Sequence, residues 1–275
     1  MAQIIDLKSI NRVADILMDH ILDYQQHYHL HPDQYKIVFD ILNCRTRYLG
    51  GHMERCDECG AERHIYHSCR NRHCPTCQHL PREQWLEARK SELLPVPYFH
   101  NVFTLPHDLN PIILSNKKVM LNILFQSVSE TLMTFAENQM KGRLGFLAIL
   151  HTWDQLLKPH FHLHCLIPGG VMATDGTAWI PCKHDYLFNE EALSLVFRGK
   201  FIYHMSRAYR KGDIKFPGTS FGSKEFRQLK KRLYVNKWVV SIRESIQHPE
   251  HVIDYLGRYT HRVAISNSRI QSVKD

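Results

Sequence analysis

The sequence predicts an α+β chain, in which a helical hairpin and a cysteine-rich module precede an antiparallel-sheet α/β sandwich. Three observations predict it. Apolar residues recur at helical spacing near the start, they thin out between Gly50 and Gln78 where Cys, His and Arg dominate, and beyond residue 97 strand-like and helix-like stretches interleave. That interleaving includes hairpin-like pairs, which favour an antiparallel sheet over a doubly wound one.

Ile10, Val13, Leu17, Ile21 and Tyr24 fall on one helical stripe, and Ile37, Phe39, Ile41 and Leu42 follow Pro32 and Asp33, residues suited to a helix start. Residues 8–48 are therefore expected as a helical hairpin. After the cysteine-rich stretch, "YFHNVFTLP" reads as a strand, 112–141 as a long helix, and "LGFLAILHTW" as a strand. "HFHLHCLIPGGVM" reads as a strand running into a Gly-Gly turn, with "TAWIPC" a further short strand. Helices are expected at 190–211, 223–234 and 249–261, and strands at "KWVVSIRES" and "RVAISNSRI".

Apolar residues make up 44% of the 275, enough for a sizeable core. No run approaches the roughly 18 apolar residues of a membrane span, and the first residues carry charges where a secretory signal would be apolar, so no membrane partner is expected and the chain is placed in the cytoplasm. Net charge is +8, but residues 198–275 hold 17 Lys+Arg against 6 Asp+Glu. Such asymmetry is a footprint of nucleic-acid binding, and also what a solvated lysine-rich helix would show. Lys230, Lys231, Arg232 and Lys237, with Tyr234 and Trp238, have the mixture of charge and aromatic surface that single-strand binding uses.

The stretch "CDECGAERHIYHSCRNRHCPTC" contains two C-x2-C knuckles, Cys56/Cys59 and Cys74/Cys77, separated by 14 residues. Four thiolates in that spacing suit a tetrahedral Zn2+, whose binding would fold a segment that has no core of its own. Cys69 is a fifth candidate, and His64, His67 and His73 are possible replacements for a thiolate. Cys44, Cys165 and Cys182 lack such spacing and are expected as small core residues. Arg55, Arg63, Arg70, Arg72 and Arg82 either face phosphate or are offset by the acids Glu54, Asp57, Glu58 and Glu62 among them.

In "PHFHLHCLIPGG" the period of a strand puts His160, His162 and His164 on one face and Phe161, Leu163 and Cys165 on the other. A ligand surface on one side and core on the other suits a metal site. The same spelling at 27–32, "HYHLHP", falls at a helix end, where alternate residues share no face, and reads as surface histidine. Near the end, "YLGRYTHRV" sets Tyr255 and Tyr259 one helical turn apart beside Arg258, His261 and Arg262.

As a set, "HFHLHCLIPGG", "YLGRYTHRVAIS" and the cysteine cluster resemble the two-tyrosine HUH transposases of rolling-circle insertion sequences, over roughly residues 10–270. The resemblance implies a helical and zinc-binding domain at 1–90 with structural Zn2+, and an HUH nuclease-like catalytic domain at 91–275. It also implies a divalent cation, Mg2+ or Mn2+, on His162 and His164, with Tyr255 and Tyr259 as nucleophiles and Arg258 and Arg262 near phosphate; a third metal ligand is then needed, which the sequence does not fix, and His151 on the preceding strand is favoured over Gln155 and His160. The expected activity is nicking and rejoining of single-stranded DNA through a 5′-phosphotyrosine, with transposon-end DNA as partner and a nucleoid-associated location. Members of that family run on beyond the paired-tyrosine helix, so the second domain is expected to be incomplete at its C-terminus. A zinc-dependent DNA-binding protein without catalysis, and a replication initiator or relaxase, are the alternatives.

Overall fold

The computed structural model describes residues 12–182, 187–216, 222–246, 248–260, 265–267 and 270, leaving the side chains at 244–246, 255, 256 and 258–260 outside that set. Met1–Ser91 together with Ile253–Asp275 form one compact unit, and Glu92–Val252 form the other.

In the first unit, α1 (Val13–His27) and α2 (Pro32–Leu42) form the expected helical hairpin. His31 serves as the N-cap of α2: its Nδ1 accepts from the Asp33 amide at 3.4 Å while Gln34 Oε1 accepts from the His31 amide at 2.7 Å, a reciprocal cap. The histidines at 27, 29 and 31 are exposed, as the helix-end reading requires. Next comes an antiparallel hairpin, β1 (Gly51–Arg55) with β2 (Glu62–Tyr66). Nine of its ten residues are exposed, so no alternation of apolar and polar residues marks it in the sequence. Helix α3 (His79–Ser91) follows.

The second unit is built on a four-stranded antiparallel sheet. Its strands are β3 (Tyr98–Thr104), β5 (Leu147–Trp153), β6 (Pro159–Pro168) and β9 (Val239–Ile246), in spatial order β5-β6-β3-β9. The helix expected at 112–141 is broken at Asn116 into α4 (Asn110–Ser115) and α5 (Lys117–Phe135). Asn116 has φ −137°, and its amide binds the Lys215 backbone from both ends, accepting from the amide at 2.7 Å and donating to the carbonyl at 2.5 Å. A π-helical turn, Ala136–Met140, extends α5. Helix Lys117–Met140 is long and apolar enough to cross a bilayer, but Leu124, Val128 and Leu132 on it are buried in the core of this unit.

A smaller sheet joins β4 (Gly142–Arg143), β7 (Gly170–Ala173) and β8 (Trp179–Pro181). Gly170 is required there, because a Cβ would run into the Trp179 ring. Helices α6 (Glu190–Arg210) and α7 (Ser223–Val235) complete the layer over the large sheet's apolar face. That face offers Phe99 and Phe103 of β3 and Phe161, Leu163, Cys165 and Ile167 of β6 to the core, with Phe103 meeting Phe197 of α6 edge-on at 5.3 Å. Burying each such side chain stabilises by about 1.5–3 kcal/mol. The strand order leaves the histidine-bearing face on the other side.

The last helix, α8 (Pro249–Thr260), returns to the first unit from Ile253 onward. Gly257 lets it approach α3, since a Cβ at that position would overlap Leu86, and Lys90 Nζ pairs with Asp254 Oδ1 at 2.6 Å. Ile253–Asp275 cluster with Met1–Ser91, while Glu92–Val252 fall within the span expected at 91–275. The strand expected at 262–270, including Arg262, lies outside the described residues save 265–267 and 270.

Candidate functional site

His162 and His164 project from β6, and the antiparallel register sets His151 of β5 directly opposite His162. Ring centroids are 5.1 Å apart for His151/His162, 4.1 Å for His151/His164 and 4.9 Å for His162/His164. One ligand atom from each of the three lies within 4.8 Å of the other two, and all three residues are buried. Phe161, Leu163 and Cys165 point into the core, as strand alternation predicts. Neither rival for third ligand belongs to this group, although the His160 ring lies 4.7 Å from that of His162. Gln155 is exposed in the β5–β6 turn, and His160 Nδ1 is engaged by His107 Nε2 at 2.9 Å, outside the three-imidazole group.

Hydrogen bonds decide which nitrogen each ring presents. His162 Nδ1 lies 3.1 Å from the His160 carbonyl, which can only accept, so Nδ1 carries the proton and Nε2 keeps its lone pair. His164 Nδ1 lies 2.7 Å from Nε2 of His100, a buried residue of β3 that was not picked out from the sequence. Burial first, and neighbouring positive charge second, bring His162 and His100 down to about 4 and His151 down to about 3. His164 is lowered likewise, by burial first and then by the surrounding imidazoles and Arg243. Neutral rings at physiological pH are what a cation needs. The donor set is wholly imidazole, softer than the oxygen shell that Mg2+ prefers, so Mn2+ fits it better.

The cysteines group differently from the two-knuckle expectation. Cys44, Cys69, Cys74 and Cys77 have sulfurs within 4.8 Å of one another, with Cys77 Sγ 3.4 Å from Cys44 and 3.6 Å from Cys69. A tetrahedron of sulfurs about 2.3 Å from zinc has edges of about 3.8 Å, so this set fits the metal. Cys44, expected as a packing residue, belongs to it. Cys56 and Cys59 are exposed at the tip of the β1–β2 hairpin and fall outside this four-sulfur group.

Backbone amides shape the cluster. The N–H groups of Cys69, Arg70 and Asn71 are directed at the sulfurs of Cys44, Cys77 and Cys69 respectively. Arg70 has φ +52°, the left-handed turn that lets consecutive amides converge on anionic atoms. Burial pushes the Cys44 thiol up to about 11 and raises Cys69 as well. Burial also acts to raise Cys77, but hydrogen bonds from Cys44 and Cys69 outweigh it and leave Cys77 lowered, marking it as the first thiolate of the set. His64 and His67 lie in or beside β2, and the His73 amide donates to Asn71 Oδ1 at 2.9 Å; none of the three joins the four sulfurs.

Tyr255 and Tyr259 lie four residues apart in α8, and their side chains, with that of Arg258, lie outside the described residues. Of the basic candidates on α7, Lys231 is exposed, Lys230 Nζ sits 5.4 Å over the Phe226 ring, and Arg232 pairs with Asp108 at 3.7 Å. Trp238 cannot stack on a base: it is 1% exposed, packs on Phe197 and Phe201, and donates to the Leu233 carbonyl at 2.9 Å. Tyr234 is exposed, with the Arg198 guanidinium 5.7 Å over its ring. Arg63 is held by Glu54 and Arg82 by Glu83.

Comparison with known proteins is consistent with this arrangement. Residues 16–105 match a family described as "Transposase zinc-binding domain", and residues 145–275 match one described as "Putative transposase". A curated relative, "Putative transposase y4qJ" of Sinorhizobium fredii, is 44% identical over 269 residues, covering 96% of this chain and 68% of its own. "Transposase for insertion sequence element IS801" of Pseudomonas savastanoi pv. phaseolicola is 26% identical over 248 residues, covering 85% of this chain and 56% of its own. Among solved structures, the relaxase TrwC complexed with a 27-mer DNA aligns with 48% of this chain and 54% of its own at 14% identity and a TM-score of 0.32. With zinc-binding and transposase segments in that order and a relative 44% identical along nearly its whole length, the chain belongs to the IS91-type transposases.

Proposed function

We propose that this chain nicks and rejoins single-stranded DNA through a 5′-phosphotyrosine intermediate during rolling-circle-type transposition, acting on transposon-end DNA in the nucleoid-associated cytoplasm. The observation that carries the proposal is the convergence of three buried, neutral imidazoles, His151, His162 and His164, on one face of the sheet. They are the residues that would hold a divalent cation, Mn2+ or Mg2+. When bound, that ion polarises a phosphoryl oxygen and favours attack at phosphorus.

Tyr255 or Tyr259 supplies the attacking phenolic oxygen. The new bond joins that oxygen to phosphorus, the bond from phosphorus to the 3′-oxygen breaks, and the phenolic proton is accounted for on the released 3′-hydroxyl. No co-reactant is consumed, and the phosphodiester's energy is retained for rejoining. The second tyrosine gives a second strand end a place to attach. Cys44, Cys69, Cys74 and Cys77 would hold the structural zinc of the first unit. Arg258, Arg262, Lys230, Lys231 and Arg232 supply positive charge for the DNA backbone.

The test is covalent attachment to a labelled single-stranded oligonucleotide carrying the element's end, with Mn2+, read on a denaturing gel. Wild type is expected to form the adduct, and the double variant Tyr255→Phe/Tyr259→Phe to lose it. An adduct that survives the double variant would sink the nucleophile assignment. DNA binding without any adduct in wild type, unchanged by alanine at His162 and His164, would instead favour a non-catalytic DNA-binding protein.

A further inference from the structure

Arg243 on β9 is paired in register with His100 on β3, and cross-strand partners in an antiparallel sheet share a face. It therefore stands on the histidine-bearing side, beside the His100–His164 pair. The guanidinium is exposed, and among the described residues it has no ion-pair or hydrogen-bond partner. Such a side chain needs no place in this row to satisfy the fold.

The charges around it sharpen the point. His100, His151, His162 and His164 are imidazoles, and the other charged group acting on His100 and His164 is Arg243 itself. Asp154 acts on His160, two residues before His162. A divalent ion on three neutral imidazoles keeps its whole charge, since no carboxylate is in the ligand set. Arg243 adds another positive charge without a balancing acid among the described residues. The combination is unfavourable for the free site and is relieved by an anion with two or more oxygens, one for the ion and one for the planar fork.

Resting on the function proposed above, we infer that Arg243 is a substrate-binding residue that grips a non-bridging oxygen of the phosphodiester presented to the three-imidazole site. This role predicts opposite signs for two affinities. Removing Arg243 should weaken the phosphodiester while leaving the cation bound as well as before or better, because a like charge has gone. A residue that merely supported the sheet would weaken both.

The experiment uses the full chain with Mn2+ as the metal and dimethyl phosphate as the diester, in wild type, Arg243→Ala and Arg243→Lys. Manganese affinity is measured by calorimetry, and diester binding by the paramagnetic relaxation of its phosphorus signal. For Arg243→Ala, manganese affinity equal to or tighter than wild type is expected, with diester affinity lower by about tenfold, the loss of one charge-assisted hydrogen-bonded contact. Arg243→Lys should fall between the two, since it keeps the charge and loses the fork. Unchanged diester affinity in Arg243→Ala, or a parallel loss of manganese, would overturn the inference while leaving the metal site standing. Absence of any relaxation effect in manganese-loaded wild type would remove the underlying function as well.

Discussion

His100 Nε2 lies 2.7 Å from His164 Nδ1, with the two ring planes only 18° apart and both residues buried. If His164 turns Nε2 to a cation, its Nδ1 keeps the proton and donates it to His100, which must accept at Nε2. A ring fixed in this way is a pre-oriented ligand. His100→Phe keeps the ring and removes the acceptor, and is expected to lower Mn2+ affinity by about 10–100-fold. Calorimetric titration checks it, with His100→Gln, which restores an acceptor, expected to recover part of the loss. Equal losses in both variants would show that only packing had been disturbed.

Acidification should destabilise the metal-free protein. His100 and His162 are held near pKa 4 in the folded chain against about 6.5 when unfolded, so between these values the unfolded state binds more protons. Stability is therefore fully present above about pH 6.5 and lost as pH falls toward 4. Thermal melts across that range should show a falling midpoint, and the double variant His100→Phe/His162→Phe should flatten the slope. A slope unchanged by the double variant would place its cause elsewhere.

Zinc content separates the two possible thiolate sets. Cys44→Ser is expected to reduce bound zinc from about one per chain to a small fraction, because it opens the tetrahedral set. Cys56→Ser/Cys59→Ser is expected to leave that zinc in place. Metal analysis of the purified variants decides the matter, and zinc lost only from the Cys56/Cys59 variant would restore the two-knuckle assignment.

Gly257 and Leu86 provide a packing test. Gly257→Ala puts a methyl group into Leu86 and should destabilise the docking of α8 on α3 by about 1–3 kcal/mol, the usual cost of overpacking. Adding Leu86→Ala opens the space, so the double variant should be more stable than the sum of the single effects predicts. Denaturant melts of the four proteins measure this directly, and simple additivity would argue against the contact.

The features visible in the sequence were those with a period. The alternation of β6 separates His160, His162 and His164 from Phe161, Leu163 and Cys165 without any coordinates, and α6 and α7 end within one residue of the spans expected at 190–211 and 223–234. His100 gave no such signal, because a single histidine in "YFHNVFTLP" acquires meaning only when β3 is laid beside β6. Cys44 was hidden by distance, 25 residues before Cys69 with no knuckle of its own. The Cys56/Cys59 spelling is equally good on paper, yet its hairpin holds it away from the sulfurs that group. Trp238 was misread because charge surrounds it in sequence while Phe197 and Phe201 surround it in space.

The return of α8 to the first unit makes that unit discontinuous along the chain. During synthesis, the first 91 residues emerge long before Ile253 and must await it to complete their packing. Zinc taken up early would prepare the α3 surface that later receives the helix bearing Tyr255 and Tyr259. A nascent protein starved of zinc would emerge with that surface unmade, so the supply of one ion can govern whether the last helix ever finds its seat.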